Sequence, residues 1–257
     1  MMHPKNIFIG IDVGNSATKC AVIDADYSVV KKYSIPNDAP WSVSDVMHTL
    51  SDMLLDVSEC TIGISSVVPE KTALIQKHLL LERRIAPTLV DVHRVHWMKF
   101  AYEKLDSLGA DRICTAIAAR EAAPLPLVVI DFGTATTFNV IDQEGNFVGG
   151  AIAPGLDTMR VGLMQRTAQL PDVRLQYPAS VIASSTESSM QSGLLYLHQF
   201  GWEGMLQRIE EELQSEVSCI VTGGLAGVAT EKTKRLILHD QNLLLKGMRM
   251  FTERVTA

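Results

Sequence analysis

Cysteine is scarce in this chain, and none is paired by spacing. Only Cys20, Cys60, Cys114 and Cys219 occur in 257 residues, and no two form a C-x-x-C pair. Neither a disulfide framework nor a zinc knuckle is indicated, so four reduced, mostly buried thiols are expected. No uninterrupted apolar run approaches the ~18–20 residues that span a bilayer. The N-terminus lacks the charged-then-apolar plan of a signal peptide, and Ile7–Ile11 is too short for its apolar region. The expectation is a cytoplasmic protein with no membrane partner. Clustered Lys and Arg are also missing, and the formal net charge is −6, which argues against a nucleic-acid surface. A Walker loop, G-x-x-x-x-G-K-[ST], is absent. His93 and His96 lie three apart with no third ligand at a standard spacing, and read as part of a solvated loop.

What is present is a core and a repeated phrase. Hydrophobic residues make up 47% and charged residues 20% of the chain, a balance typical of globular proteins. The phrase first occurs as Ile9-Gly10-Ile11-Asp12-Val13-Gly14-Asn15-Ser16-Ala17-Thr18-Lys19. An apolar strand runs into a carboxylate, a glycine and a hydroxyl-rich turn, and strand pattern then resumes. Such a turn suits a phosphate. Gly14 lets backbone approach an anion closely, successive turn amides form an anion-binding concavity, and Lys19 supplies a point charge. Asp12 would repel a bare phosphate, so a cation between them is implied. Taken alone, the stretch reads equally well as an ordinary hairpin with a polar turn.

The second occurrence is Val128-Val129-Ile130-Asp131-Phe132-Gly133-Thr134-Ala135-Thr136-Thr137-Phe138. The echo extends to Val22-Ile23-Asp24 and Val140-Ile141-Asp142, with the offset from the leading Asp differing by one residue. A single repeat is too few for a solenoid, so a duplicated domain is the better explanation. The expected architecture is α/β: two lobes, residues 1–115 and 116–257, each a mixed sheet flanked by helices. The two Asp-Gly turns are expected to face one polyphosphate and its metal across a cleft.

Between these turns the pattern predicts strands over 7–11, 18–24, 29–35, 61–68 and 87–90. Helices are expected over 44–57, with Ser44 as N-cap and Val46, Leu50, Met53, Leu54 and Val57 on its apolar face, and over 71–81. Gly109-Ala110-Asp111-Arg112 precedes an Ala-rich helix, 113–123. Asp111 there reads either as a helix cap or as a group that accepts a hydroxyl proton. Arg112 suits a carboxylate. Beyond the second hairpin come a glycine-flanked strand, Phe147–Gly155, and a helix over 156–167. Two helices, 187–200 and 203–214, are expected to pair around Gly201, the first opened by a Ser184/Glu187 capping box. A strand over 217–221 runs into Thr222-Gly223-Gly224. A helix from Ala226 and a last helical turn or two near Leu243–Leu245 follow.

In the order of these motifs the sequence resembles the type III pantothenate kinases, within the actin/Hsp70/sugar-kinase superfamily. The resemblance rests on Asp12–Lys19, Ile64-Ser65-Ser66-Val67-Val68-Pro69, Gly109–Arg112, Asp131–Thr137, Gly149–Gly155, Ala168-Gln169-Leu170-Pro171 and Thr222-Gly223-Gly224. It implies two ribonuclease-H-like lobes and ATP-dependent phosphorylation of pantothenate, the first step towards coenzyme A, by a homodimer using Mg²⁺ and K⁺ or NH₄⁺. It assigns ATP binding to Asp12, Val13, Gly14, Asn15, Ser16, Ala17, Thr18, Lys19 and Thr134. Pantothenate binding falls to Tyr102, Gly109, Ala110, Asp111, Arg112 and Thr186, the role of general base to Asp111, and the monovalent cation to Asp131. The chain departs from the family pattern at Lys104-Leu105, Cys114 and Ser185. The alternatives are a related small-molecule kinase and a transcription accessory factor on the same scaffold.

Overall fold

The computed structural model describes residues 7–37, 42–54 and 60–257. Three strands open it as an antiparallel meander: β1 (Ile7–Val13), β2 (Ala17–Ile23) and β3 (Val29–Pro36). Helix α1 (Val43–Leu54) then leads to β4 (Cys60–Ser66), α2 (Pro69–Arg83), β5 (Thr88–Leu89) and α3 (Ala110–Ala122). The plan then repeats. The meander β6 (Leu127–Phe132), β7 (Ala135–Ile141) and β8 (Phe147–Pro154) is followed by α4 (Leu156–Arg166) and α5 (Thr186–Leu213). Strand β9 (Ser218–Thr222), α6 (Ala226–Ala229), β10 (Leu238–His239) and α7 (Leu243–Thr256) complete the chain.

The two sheets have orders β3-β2-β1-β4-β5 and β8-β7-β6-β9-β10, the same order in the same sequence of elements. In each, the strand carrying the Asp-Gly turn is central, antiparallel to the next strand and parallel to the fourth. The duplication read from two short phrases therefore extends through the sheet topology.

Contacts divide the chain into two compact units. One holds the residues up to Glu121 together with Asn242–Ala257; the other is Ala122–Gln241. The last helix thus belongs with the first sheet, although it follows β10 in sequence as α3 follows β5. One face of the first sheet buries Ile9, Ile11, Val13, Ile62 and Ile64 against Val46 and Leu50 of α1 and Ile75 and Leu79 of α2. The other face packs Phe8, Ala21 and Ile23 on Cys114 of α3 and Leu245 and Met248 of α7. Gly10 and Gly63 are register partners on this second face. Side chains there would run into Leu245 and Met248 at Gly10, and into Phe8 and Thr252 at Gly63. The paired glycines form the bed of α7. In the second unit, Val128, Ile130, Phe132, Phe138 and Val140 bury against Trp202 and Leu206 of α5.

Several elements differ from expectation. Residues 186–213 form one helix, not two. A single glycine costs a helix only about 1 kcal/mol, and buried residues on either side of Gly201, Leu195 and Trp202 among them, hold the segment to the core. Its N-cap is Ser185, in a reciprocal capping box with Ser188, rather than Ser184 with Glu187. In α1 the hydroxyl that accepts from the first turn is Ser42, from the Asp45 amide at 3.2 Å, and not Ser44. Val46 and Leu50 are fully buried as expected. The side chains of Met53 and Leu54, and Val57 altogether, lie outside the described residues. The C-terminal helix is 14 residues long, well beyond a turn or two. Strand β4 ends at Ser66, short of Val68. Among the described residues, no helix is long and apolar enough to cross a membrane.

Candidate active site

In the first unit the site begins where β1 and β4 end. Asp12 lies directly opposite Lys19 on β2 and Ser65 on β4. Side chains alternate along a strand, so Asp12 shares the face of Phe8 and Gly10, which α3 and α7 cover. The Ser65 hydroxyl is fully buried and donates to Asp12 Oδ1 at 3.4 Å. Cys114, one turn into α3, is fully buried close to Ser65, Asp12 and Asp111. Burial first, then those two carboxylates, push its thiol well above the usual range, so it stays protonated. Asp12, Ser65, Cys114 and Asp111 are therefore one cluster, although its ends, Asp12 and Cys114, are 102 positions apart in sequence (12 to 114).

Asp111 occupies the first turn of α3. Its Oδ1 accepts the Arg112 amide at 2.8 Å, and the carboxylate folds back over Gly109. A Cβ at Gly109 would overlap that oxygen and touch Val67 at the end of β4. Arg112 is buried, with its guanidinium 5.7 Å from the Tyr102 ring centroid and Nη1 3.5 Å from the phenol oxygen. The pantothenate candidates Tyr102, Gly109, Ala110, Asp111 and Arg112 are thus neighbours, beside the Asp12 turn. Ser65, at the end of the expected 61–68 strand, and Cys114, a departure from the family pattern, have no role assigned by the sequence. Only the register of β4 against β1 and the helical turn from Asp111 bring them in.

The turn after Asp12 is closed by Gly14 N–H donating to Ala17 O at 3.0 Å. A Cβ at Gly14 would meet only Ala17 O, at 3.2 Å. That is a tight approach to backbone, so the turn itself favours a glycine there. Burial and the neighbouring Lys19 lower the pKa of Lys32, opposed by Asp12.

The second turn repeats these features in the second unit. Asp131 pairs in register with Thr222 of β9 as Asp12 does with Ser65. Gly133 N–H donates to Ala135 O at 3.1 Å, one residue sooner than in the first turn. Thr134 is exposed, and its carbonyl accepts from Gly155 N–H at 3.0 Å and from the Thr158 hydroxyl at 2.6 Å. Gly223 has φ +93°, and a Cβ there would lie 2.6 Å from the Phe132 carbonyl and overlap Asp131 Oδ1. Thr136, which closes the hairpin, bonds Nε2 of His198 at 2.9 Å; burial lowers the pKa of that imidazole and keeps it neutral. Thr186 stands apart from this turn, exposed at the head of α5. It lines an open groove of about 990 Å³ with Met159, Leu163, Met190 and Leu194. Helix α4 links the two places, since Thr158 holds Thr134 and Met159 lines the groove.

Among the described residues, no group of three or more His, Cys, Asp or Glu side chains gathers into a metal cage. Lone carboxylates beside glycine turns suit Mg²⁺, which keeps waters and takes few protein ligands.

Two sheets of this order, each with a carboxylate and glycine turn at the end of its central strand, define an actin-like ATPase or sugar-kinase fold. Solved structures agree. A Streptomyces griseus ROK family glucokinase, in complex with glucose and AMPPNP, superposes with a TM-score of 0.54 at 9% identity, covering 96% of this chain and 99% of that one. A Campylobacter jejuni protein titled for the Baf family of transcriptional activators gives 0.60 at 17% identity, covering 96% and 98%. The family model for type III pantothenate kinase matches residues 8–208. A type III pantothenate kinase of Geotalea daltonii is 34% identical over 249 residues, 95% of this chain and 97% of its own. The chain belongs to the type III pantothenate kinase family.

Proposed function

We propose that the chain transfers the γ-phosphoryl group of ATP to the primary hydroxyl of pantothenate, giving 4′-phosphopantothenate for coenzyme A biosynthesis. The observation that carries this reading is the cluster of Asp12 and Asp111 through Ser65 and Cys114. It supports a phosphate role for the Asp12 turn and a base role for Asp111 in a chain of this family.

Phosphoryl transfer needs positioning and charge neutralisation more than covalent help. Asp12, the amides of Val13–Thr18 and Lys19 hold the ATP phosphates, and Thr134 contacts the nucleotide. Asp12 and the phosphates would hold Mg²⁺, whose charge would offset that of the triphosphate. Asp111 accepts the hydroxyl proton late in transfer. Arg112 and Tyr102 present a cation and a phenol together, which suits the pantothenate carboxylate; Gly109 and Ala110 leave room beside it. Asp131, with the carbonyl of Phe132 close by, offers the oxygen ligands that a monovalent cation takes. Thr186 completes pantothenate binding from the head of α5. The protein works in the cytoplasm as a homodimer. The groove beside Thr186, with exposed Leu197 and Phe200 on the same helix, supports a second copy as the partner of that face.

Turnover of ATP against a panel of small alcohols and hydroxy acids tests this reading. Pantothenate is expected to be the acceptor used, with K⁺ or NH₄⁺ giving faster turnover than Na⁺ and Asp131→Asn erasing that difference. Preference for a sugar would assign the chain to another kinase on this scaffold. Equal rates in all three cations would remove the role given to Asp131.

A further inference from the structure

The residue after β3 makes an unusual set of contacts. Asn37 Nδ2 donates to Gly14 O at 2.6 Å and, more weakly, to Asn15 O at 3.5 Å. Its Oδ1 accepts from the Thr18 hydroxyl at 3.1 Å, and its backbone N–H donates to Ser16 O at 2.8 Å. One residue therefore engages four of the five residues from Gly14 to Thr18. Two of the bonded carbonyls, those of Gly14 and Asn15, belong to peptide units inside the turn. Fixing them fixes which way the attached N–H groups point. Thr18 is fully buried, so its hydroxyl must be satisfied within the fold.

The internal repeat shows which part of this is shared. Strand β3 ends at Pro36 opposite Ala17, and β8 ends at Pro154 opposite Ala135. The next residue in each case donates its N–H to the turn: Asn37 to Ser16 O, and Gly155 to Thr134 O. Gly155 cannot carry a side chain, since a Cβ would lie 2.5 Å from Thr134 O. In the second turn the side-chain work falls to Thr158 and His198. In the first turn Asn37 does both.

We propose that Asn37 is the positioning residue of the first phosphate turn, holding the amides of Gly14–Thr18 in the arrangement that receives the phosphates of ATP. This rests on the assignment of that turn to ATP. Asn37 touches the turn and not the reacting atoms. Its loss is therefore expected to weaken nucleotide recognition and leave acceptor recognition alone.

The test compares Asn37→Ala, Asn37→Gly and Asn37→Asp with the wild type. Asn37→Gly keeps the backbone bond to Ser16, as Gly155 does in the other turn. Asn37→Asp keeps the shape and the bond from Thr18 but sets a carboxylate oxygen against the carbonyls of Gly14 and Asn15. All three are expected to raise KM for ATP at least tenfold, Asn37→Asp most, with KM for pantothenate within twofold of wild type. Thr18→Val added to Asn37→Ala is expected to change KM for ATP little further, because the shared bond is already gone. Tyr27→Phe, which breaks a 2.6 Å bond to Glu253 at the far end of β2, is the control and leaves KM for ATP unchanged. Calorimetric ATP affinity needs no turnover, so it judges Asn37 even if another acceptor replaces pantothenate. Folded Asn37 variants with wild-type ATP affinity would overturn the proposal.

Discussion

Replacement of Asp111 by Asn is expected to lower kcat by about 10²–10⁴-fold, the usual worth of a positioned base, while ATP binding is retained. The substitution separates the two roles that the sequence leaves open. Asn keeps an oxygen that can accept the Arg112 amide and serves helix N-termini as well as Asp does. If Asp111 only secures the start of α3, its replacement by Asn costs little beyond the charge–dipole term, about 0.3–1 kcal/mol. If Asp111 takes the proton, an amide cannot do so and turnover collapses. Steady-state kinetics paired with ATP calorimetry distinguishes the outcomes. Near-normal kcat in the variant would leave the capping role alone.

The second large effect concerns packing. Gly247 lies in the second turn of α7, against the backbone of α3. A Cβ there would lie 2.5 Å from the Cys114 carbonyl carbon and overlap its oxygen. Helix propensity alone predicts that Gly→Ala stabilises, by about 1 kcal/mol. The contact predicts the opposite sign. Backbone cannot swing aside like a flexible side chain, so α7 must lift from α3 and from the bed formed by Gly10 and Gly63. Gly247→Ala is expected to destabilise by about 3 kcal/mol, the upper part of the overpacking range. Activity should fall with it, because α3 carries Asp111 and Arg112. Denaturant titration measures the sign directly. A variant as stable as wild type would mean that α7 does not seat closely on α3.

What could be read from the sequence is what short-range pattern encodes. The apolar runs of β1, β2, β6 and β7, and the Asp-Gly turns joining them, lie within a dozen residues each, and their similarity exposes the duplication. The Ala-rich helix was legible for the same reason, although it begins at Ala110 and takes in Asp111 and Arg112 rather than starting at 113. The sequence could not show which residues meet across long separations. Ser65 reaches Asp12 through parallel pairing, and Cys114 joins them only when α3 docks. Gly10, Gly63 and Gly247 look like scattered glycines until α7 is seen resting on them. For the same reason, the end of the chain could not be assigned to the first sheet from its place in sequence. Asn37 sits in a Pro-Asn-Asp-Ala-Pro stretch that reads as an ordinary loop, since nothing local ties it to a turn about twenty residues earlier. Gly201 misled in the other direction: its local signal to break the helix is outweighed by Trp202 and Leu206 in the core.

The most direct test of the account is kcat/KM for ATP, with pantothenate saturating, in Asp12→Asn and Asp131→Asn measured beside the wild type. If the two Asp-Gly turns act in one reaction, each substitution lowers the value by about tenfold or more, a loss of about 1.4 kcal/mol of transition-state stabilisation. Wild-type kcat/KM in either folded variant would contradict it.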